Sequence, residues 1–482
     1  MKNKKIMVLL GSLAVFLLVF IIANSVSESE GLVADENQDL YIAEYEEEVE
    51  ELYVSQIQQI RASFPPASEV VHLNEIFAHL TQEDFLYDLE YLMYVLNNNF
   101  SHMIILEERG FDINQMAENA IEKILANENI SIAYFWDVLW YDFFEYIRGI
   151  GHLEKLGIGH YRNAVESNIA PGGIFRSGQA FIARPLILNP NTLLLYGDIL
   201  SLTENPPFVT GRNILVNRYA TNIPIRTHPR NLNTRILEED RIAYMQIVAF
   251  TGDISSIDRT TIRDFYEEIE DFEHLIIDLR GNLGGSMVYF FSLIMAPLIN
   301  EDLSHTFFYF HKDGQHVINR KTRAYARGPA GANPAFPLAS TRLPASEEII
   351  ATIPESNRWA IEYFDYFGTA TFRVRRNDAV TGSSNFDGEI WLLVDNYAFS
   401  APQLAASFVY ETDFATIVGQ TTGGMIGGAT SMIFFSLPNT GIIISFDYGL
   451  MLDSNGRPLE NGTIPHIYSN NPLATVLELI GQ

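Results

Sequence analysis

Two apolar runs that leave no room for a solvent-facing side constrain the fold most. His274-Leu-Ile-Ile-Asp-Leu279 and Trp391-Leu-Leu-Val-Asp395 carry bulky apolar residues at consecutive rather than alternate positions. Strands of this kind are buried on both faces, which calls for a parallel sheet covered by helices. Each run ends in a polar or glycine-bearing turn with a helical pattern beyond it. A third strand-like run, Ala243-Tyr-Met-Gln-Ile-Val-Ala249, and a helical stretch over 260–269 come before them. Residues 241–482 therefore read as an α/β core. Within it, 306–386 is rich in Pro, Arg and aromatic residues and reads as an irregular insertion or lid.

Upstream the periodicity is helical. Phe85, Leu89, Leu92, Met93 and Leu96 recur at three- and four-residue spacing behind Thr81-Gln-Glu-Asp84, which has the form of a capped helix start. Ala117, Ile121, Ile124 and Leu125 repeat the pattern, and Phe135, Val138, Leu139, Phe143 and Tyr146 carry it towards Gly149. These residues assign 71–165 to a helical N-terminal domain. Between it and the core, 166–240 breaks into short apolar runs separated by Pro, Asn and Gly, the pattern of a small β-rich segment.

The amino end points to export. Lys2, Lys4 and Lys5 precede eighteen uncharged, mostly apolar residues, 6–23. Such a run is a cleaved signal or a short membrane anchor (1–27), and its positive flank stays cytoplasmic. The expected location is thus the outer face of the cytoplasmic membrane, or secretion. An acidic spacer follows (28–70), with eleven acids and no Lys or Arg between Glu28 and Tyr53. The formal charge of −29 disfavours a nucleic-acid partner. With no cysteine in the chain, disulfides, Cys-ligated metals and a thiol nucleophile are excluded. No HExxH motif or paired metal-ligand spacing occurs, and no cofactor is expected.

Two strand-to-helix junctions could carry chemistry. Asp278-Leu-Arg-Gly-Asn-Leu-Gly-Gly-Ser286 lacks the Gly-Lys-Ser/Thr of a phosphate loop, but its glycines can present backbone N–H groups to an oxyanion. Asp278 and Arg280 read as supports of that turn. In the second junction Ser400 falls where a helix begins, a position that suits a nucleophile and equally suits an ordinary helix cap.

Taken in order, "LIIDLRGNLGGS", "IWLLVDNYAFSAPQLAASF", "FATIVGQTTGG" and "GRPLENGTIPHI" resemble the tail-specific, or C-terminal-processing, serine peptidases and their tricorn-type relatives. The resemblance implies a ClpP/crotonase-like α/β catalytic core with Ser400 as nucleophile, and an oxyanion hole built from Gly284, Gly285 and Ala401. Such peptidases use either a Ser–Lys dyad or a tricorn-like Ser–His–Glu arrangement. No lysine follows Ser400, and the one cation in the last 82 residues is Arg457, which cannot act as a base. The base is then a histidine in a Gly-His motif at the end of the helical region. His152 is favoured because it directly follows the amphipathic helix, and His160 is the alternative. Glu460 matches the acid of the resemblance.

This chain departs from the pattern at Gln403, where many such peptidases have Glu, at His466 in place of Asp, and at Gly151 in place of the tricorn serine. The expected function is an exported serine endopeptidase acting on a peptide or protein substrate. An inactive, surface-anchored peptide-binding protein on the same fold is the alternative.

Overall fold

The computed structural model describes residues 74–147, 149–155, 231–250, 257–282, 284–319, 340–424 and 433–481. The proposed signal or anchor, the acidic spacer, His160 and most of the β-rich segment lie outside them. No helix among the described residues is long and apolar enough to cross a membrane.

The early periodic pattern forms α1 (Gln82–Asn99), α2 (Met103–Glu108), α3 (Ile113–Leu125) and α4 (Ile132–Leu139). Thr81 closes a reciprocal capping box with Asp84 at the start of α1. Asp112 and Ser131 cap the amides that open α3 and α4. Helix α4 continues through a π-helical turn, Trp140–Phe144, towards the strand β1 (Glu154–Lys155). Lys155 is buried with its ammonium 3.5 Å from the centre of the Trp136 ring, which ties β1 to α4. Burial holds that lysine's pKa well below its ordinary value.

The apolar runs form a six-stranded sheet in the order β13-β9-β8-β4-β3-β2. Its members are β2 (Leu232–Glu238), β3 (Ile242–Ile247), β4 (His274–Asp278), β8 (Glu389–Val394), β9 (Thr416–Gly419) and β13 (Ile467–Tyr468). All pairs are parallel except the edge pair β2–β3. Every residue of β3 is buried, as consecutive apolar positions require. One face packs on α5 (Ile257–Glu268), on a helical stretch over 287–298 and on α6 (Ala401–Thr412). Helix α7 (Pro472–Ile480) packs against β8 and β9. The α/β class inferred from the sequence is the class observed. Strand β2 falls within 166–240, yet it is the hydrogen-bonded edge of the core sheet.

The described parts of 306–386 hold regular strands. β5 (Leu303–His311) and β7 (Tyr366–Val374) pair antiparallel along nine positions, and with β6 (Ser340–Arg342) and β12 (Gly449–Leu452) they form a four-stranded sheet. The aromatic run His305-Thr-Phe-Phe-Tyr-Phe-His311, read as irregular from the sequence, is a strand whose rings pack both towards the core and towards the helical region.

A third sheet joins the two halves of the molecule. β10 (Ile433–Ser436) and β11 (Ile443–Phe446) form a hairpin, and β1 adds to the free edge of β11. The hairpin shares one apolar core with α1 to α4. Its turn is held by the fully buried Asp88 of α1, whose carboxylate accepts from the amides of Asn439 and Thr440 (both 2.8 Å) and from the Thr440 hydroxyl (2.7 Å). Desolvation raises the Asp88 pKa against the pull of these donors. Asp88→Ala strands buried donors, so urea unfolding is expected to show a loss of about 2–4 kcal/mol. A change within about 0.5 kcal/mol would mean that the hairpin does not depend on this anchor.

Candidate active site

The nucleophile candidate sits where β8 gives way to α6. The carboxylate of Asp395 gathers the turn by accepting from Tyr397 N (3.0 Å) and Ala398 N (2.9 Å), and it also accepts from Gly281 N (3.1 Å) in the glycine turn after β4. One side chain therefore ties both junctions together. Burial, reinforced by the nearby Asp278 charge, outweighs the backbone donors and pushes the Asp395 pKa up to about 6. Asp278 is in turn clamped by the Arg280 guanidinium (2.8 Å) and the Tyr244 hydroxyl (2.6 Å), the supporting role read for Asp278 and Arg280 from sequence.

Ser400 has φ 66° and ψ −119°, a conformation that costs a non-glycine residue about 1–3 kcal/mol. Its backbone is held at both ends: Ser400 N donates to Gly424 O (3.0 Å), and Ser400 O accepts from Leu404 N (3.1 Å). The hydroxyl caps no helix amide, which argues against an ordinary cap. Instead Ser400 Oγ lies 3.1 Å from His152 Nε2.

His152 reaches this point through a tight turn. The chain passes Gly149 (φ 88°), Gly151 (φ 53°) and His152 itself (φ 51°) before entering β1. Gly151 also has no space for a side chain, since a Cβ there would lie 2.5 Å from His102 Nδ1. On its other side, His152 Nδ1 lies 2.9 Å from Asp447 Oδ2. The sheet explains this contact. Glu154 pairs with Ser445 across β1 and β11, a register that two places further sets His152 opposite Asp447, and Asp447 N donates to Gly151 O (2.7 Å), one residue off that register. His152 and Asp447 therefore face each other.

The resemblance pointed to Glu460, and the structure places a different acid on the imidazole. Glu460 lies in the turn Leu459–Asn461, 2% exposed, with its carboxylate 3.9 Å from His102 Nε2 and its carbonyl accepting from Arg109 Nη2 (3.0 Å). It adds negative charge beside the site without touching His152. Asp447, read as nothing in the sequence, had one available signal: it is the lone acid closing a fully buried apolar strand. His102 was also missed. Desolvation, with the charges of His152 and Arg109, lowers its pKa to about 3, so it is a neutral ring.

Desolvation alone would lower the His152 pKa. The charge and hydrogen bond of Asp447, helped by Glu460 and Glu154, outweigh it and leave the pKa raised. No described residue other than His152 supplies the Asp447 carboxylate with a partner, and burial raises its pKa too, with His152 opposing.

The oxyanion assignment needs one correction. Gly284 abuts the nucleophile, with room for a Cβ only 3.1 Å from Ser400 Cβ, but its amide already donates to Asn282 Oδ1 (2.9 Å). The amides of Gly285 and Ala401 bond to no described residue and remain as donors. His466 Nδ1 accepts from Ile417 N (2.9 Å) while its ring stacks on Tyr410. Among the described residues no group of three His, Cys, Asp or Glu could hold a metal ion.

Residues 241–469 match the model of peptidase family S41. That stretch holds Ser400, Asp447 and Glu460, whereas His152 comes from the helical region before it. No curated protein matches the chain. Among solved structures, a candidate peptidase from Parabacteroides merdae is 14% identical at TM-score 0.47, covering 83% of this chain and 97% of its own. Mature CPAF complexed with lactacystin is 14% identical at TM-score 0.45, with coverage of 83% and 97%. A photosystem II D1 C-terminal processing protease is 10% identical at TM-score 0.30, with coverage of 52% and 53%.

The His152 imidazole should titrate above the ordinary 6.5 because Asp447 stabilises its charged form. In Asp447→Asn the inflection should fall by about one to two pH units, read from the ring resonances by NMR. An unmoved inflection would remove Asp447 as the source of the shift.

Proposed function

We propose that this chain is an exported serine endopeptidase that cleaves peptide bonds through an acyl-enzyme. The observation that carries this reading is the line Ser400 Oγ, His152 Nε2, His152 Nδ1, Asp447 Oδ2, with a hydrogen-bond contact of 3.1 Å at one end and an ion-pair contact of 2.9 Å at the other.

Ser400 Oγ attacks the substrate carbonyl carbon while its proton passes to His152 Nε2. The resulting imidazolium is stabilised by Asp447 in contact and by Glu460 through space. The carbonyl oxygen becomes an oxyanion, held by the amides of Gly285 and Ala401 at the start of α6. Collapse breaks the C–N bond, and His152 returns its proton to the leaving amine. Water, deprotonated by the same imidazole, then attacks the ester and frees Ser400. The base must be neutral to begin, so the rate rises as pH increases through the raised His152 pKa and falls below it. The 3.1 Å approach of His152 Nε2 to Ser400 Oγ supports His152 as the base over His160, which lies outside the described residues. Export rests on the Lys-flanked apolar run 6–23, which delivers the peptidase across the membrane either anchored or released.

Ser400→Ala should abolish hydrolysis of a fluorogenic peptide, a loss on the order of 10⁶, together with fluorophosphonate labelling. Asp447→Asn should lower kcat by about 10²–10⁴, and Glu460→Gln by no more than about tenfold. A wild-type chain that binds peptide yet neither labels nor turns over would overturn the peptidase reading in favour of a binding protein. Equal losses for the two acid variants would overturn the ranking of the carboxylates.

A further inference from the structure

Gln403 stands three residues after Ser400 on the first turn of α6 and is wholly buried. Its amide is committed in every direction. Nε2 lies 3.2 Å from Leu459 O, 3.1 Å from Thr463 Oγ1 and 3.2 Å from Ser407 Oγ, while Oε1 accepts from Thr463 N (3.2 Å). Leu459 and Thr463 bracket Glu460. The same Thr463 amide donates to Thr422 Oγ1 (2.7 Å), and Thr422 N donates back to Thr463 O (3.2 Å). Two residues beyond Thr422, the carbonyl of Gly424 accepts from Ser400 N. The helix that begins at the nucleophile, the turn that carries Glu460 and the strand end that holds the Ser400 amide thus meet at one buried amide.

We infer that Gln403 is a positioning residue that fixes Glu460 relative to Ser400 and His152, and that this fold requires an amide at that position rather than a carboxylate. The inference rests on the serine peptidase reading. A carboxylate can only accept, so Gln403→Glu would set an anion against the Leu459 carbonyl and leave that oxygen with the Gly462 amide (3.0 Å) as its remaining described donor. With its turn released, the Glu460 carboxylate would no longer be held beside His152.

The test is a double-mutant cycle on the full chain, with hydrolysis of a fluorogenic peptide, fluorophosphonate labelling of Ser400 and thermal unfolding measured on each variant. Gln403→Met should lower kcat about 5–10-fold, no more than Glu460→Gln does, with KM within about twofold, and should move the acid-side inflection of the pH–rate profile downward; Gln403→Glu should lower kcat over the same range. In a Glu460→Gln background the further loss caused by Gln403→Met should shrink to less than about threefold, because the charge being positioned is already gone. Thr463→Val, which removes one acceptor and keeps the volume, should show a smaller loss with the same non-additivity. It serves as the readout if Gln403→Glu does not fold. Full additivity with Glu460→Gln, or an unmoved inflection in variants that fold and lose kcat, would reduce Gln403 to a structural residue and overturn the inference. A wild type that neither labels nor turns over would sink the peptidase reading, and this inference with it. An active wild type with an additive cycle would sink the inference alone.

Discussion

The structure depends on an antiparallel contact only two residues wide in its named strands, β1 against β11. Everything else in the site is local: Ser400 follows from the end of β8, and the glycine turn follows from the end of β4. The β1–β11 ladder joins the early helical half to the late α/β half beside the site, and its register decides which side chain meets the imidazole. Pairing Glu154 with Ser445 leaves His152 opposite Asp447. A slip of one residue would turn each side chain to the other face of the sheet. The ladder is protected from such a slip at both ends. Lys155 lies against Trp136 and Trp140, and the β10–β11 turn is held by Asp88. The shared apolar core of α1 to α4 with the hairpin turns these two points into a rigid frame.

On that frame the electrostatics are graded by distance. Asp447 is buried, touches the ring and has no other described partner, so its charge is best satisfied when the ring is protonated. Glu460 acts from further away, and the neutral His102 fills the space between it and the Gly151 backbone. A protonated His102 would place a second cation beside His152 in a dry site. Burial prevents this by lowering the His102 pKa to about 3. The arrangement favours one imidazolium, at the position next to Ser400.

The α/β core was legible because consecutive apolar residues between turns admit one kind of strand, and Ser400 because its strand–turn–helix setting is local. His152 was legible by its place at the end of a periodic helix. Asp447 was not, since its role arises from the register of strands nearly three hundred residues apart, and no local spacing records that pairing. Glu460 looked like the acid because its motif is contiguous, and the structure puts it in the neighbourhood though not in contact. The Gly284 amide fell to a competitor two residues away, the Asn282 side chain, which a reading of glycines alone does not weigh. The antiparallel sheet over 303–374 was hidden because its aromatic strands face two cores, so neither face shows polar alternation.

The two residues that meet at the centre, His152 and Ser400, both hold a positive φ, at 51° and 66°. Such conformations are retained where the surroundings over-determine them, and here each is fixed from both sides. His152 is held by the Gly151 carbonyl bonded to Asp447 N and by the strand that follows. Ser400 is held by Gly424 before the helix and by Leu404 within it. In both cases one partner belongs to the segment that also supplies chemistry to the other: β11 carries Asp447, and the 420–424 segment is stitched to the Glu460 turn. Releasing either strained residue would therefore loosen an acid as well as the group that needs it. For that reason the site is better described as one cooperative unit than as a nucleophile to which a base and an acid have been added.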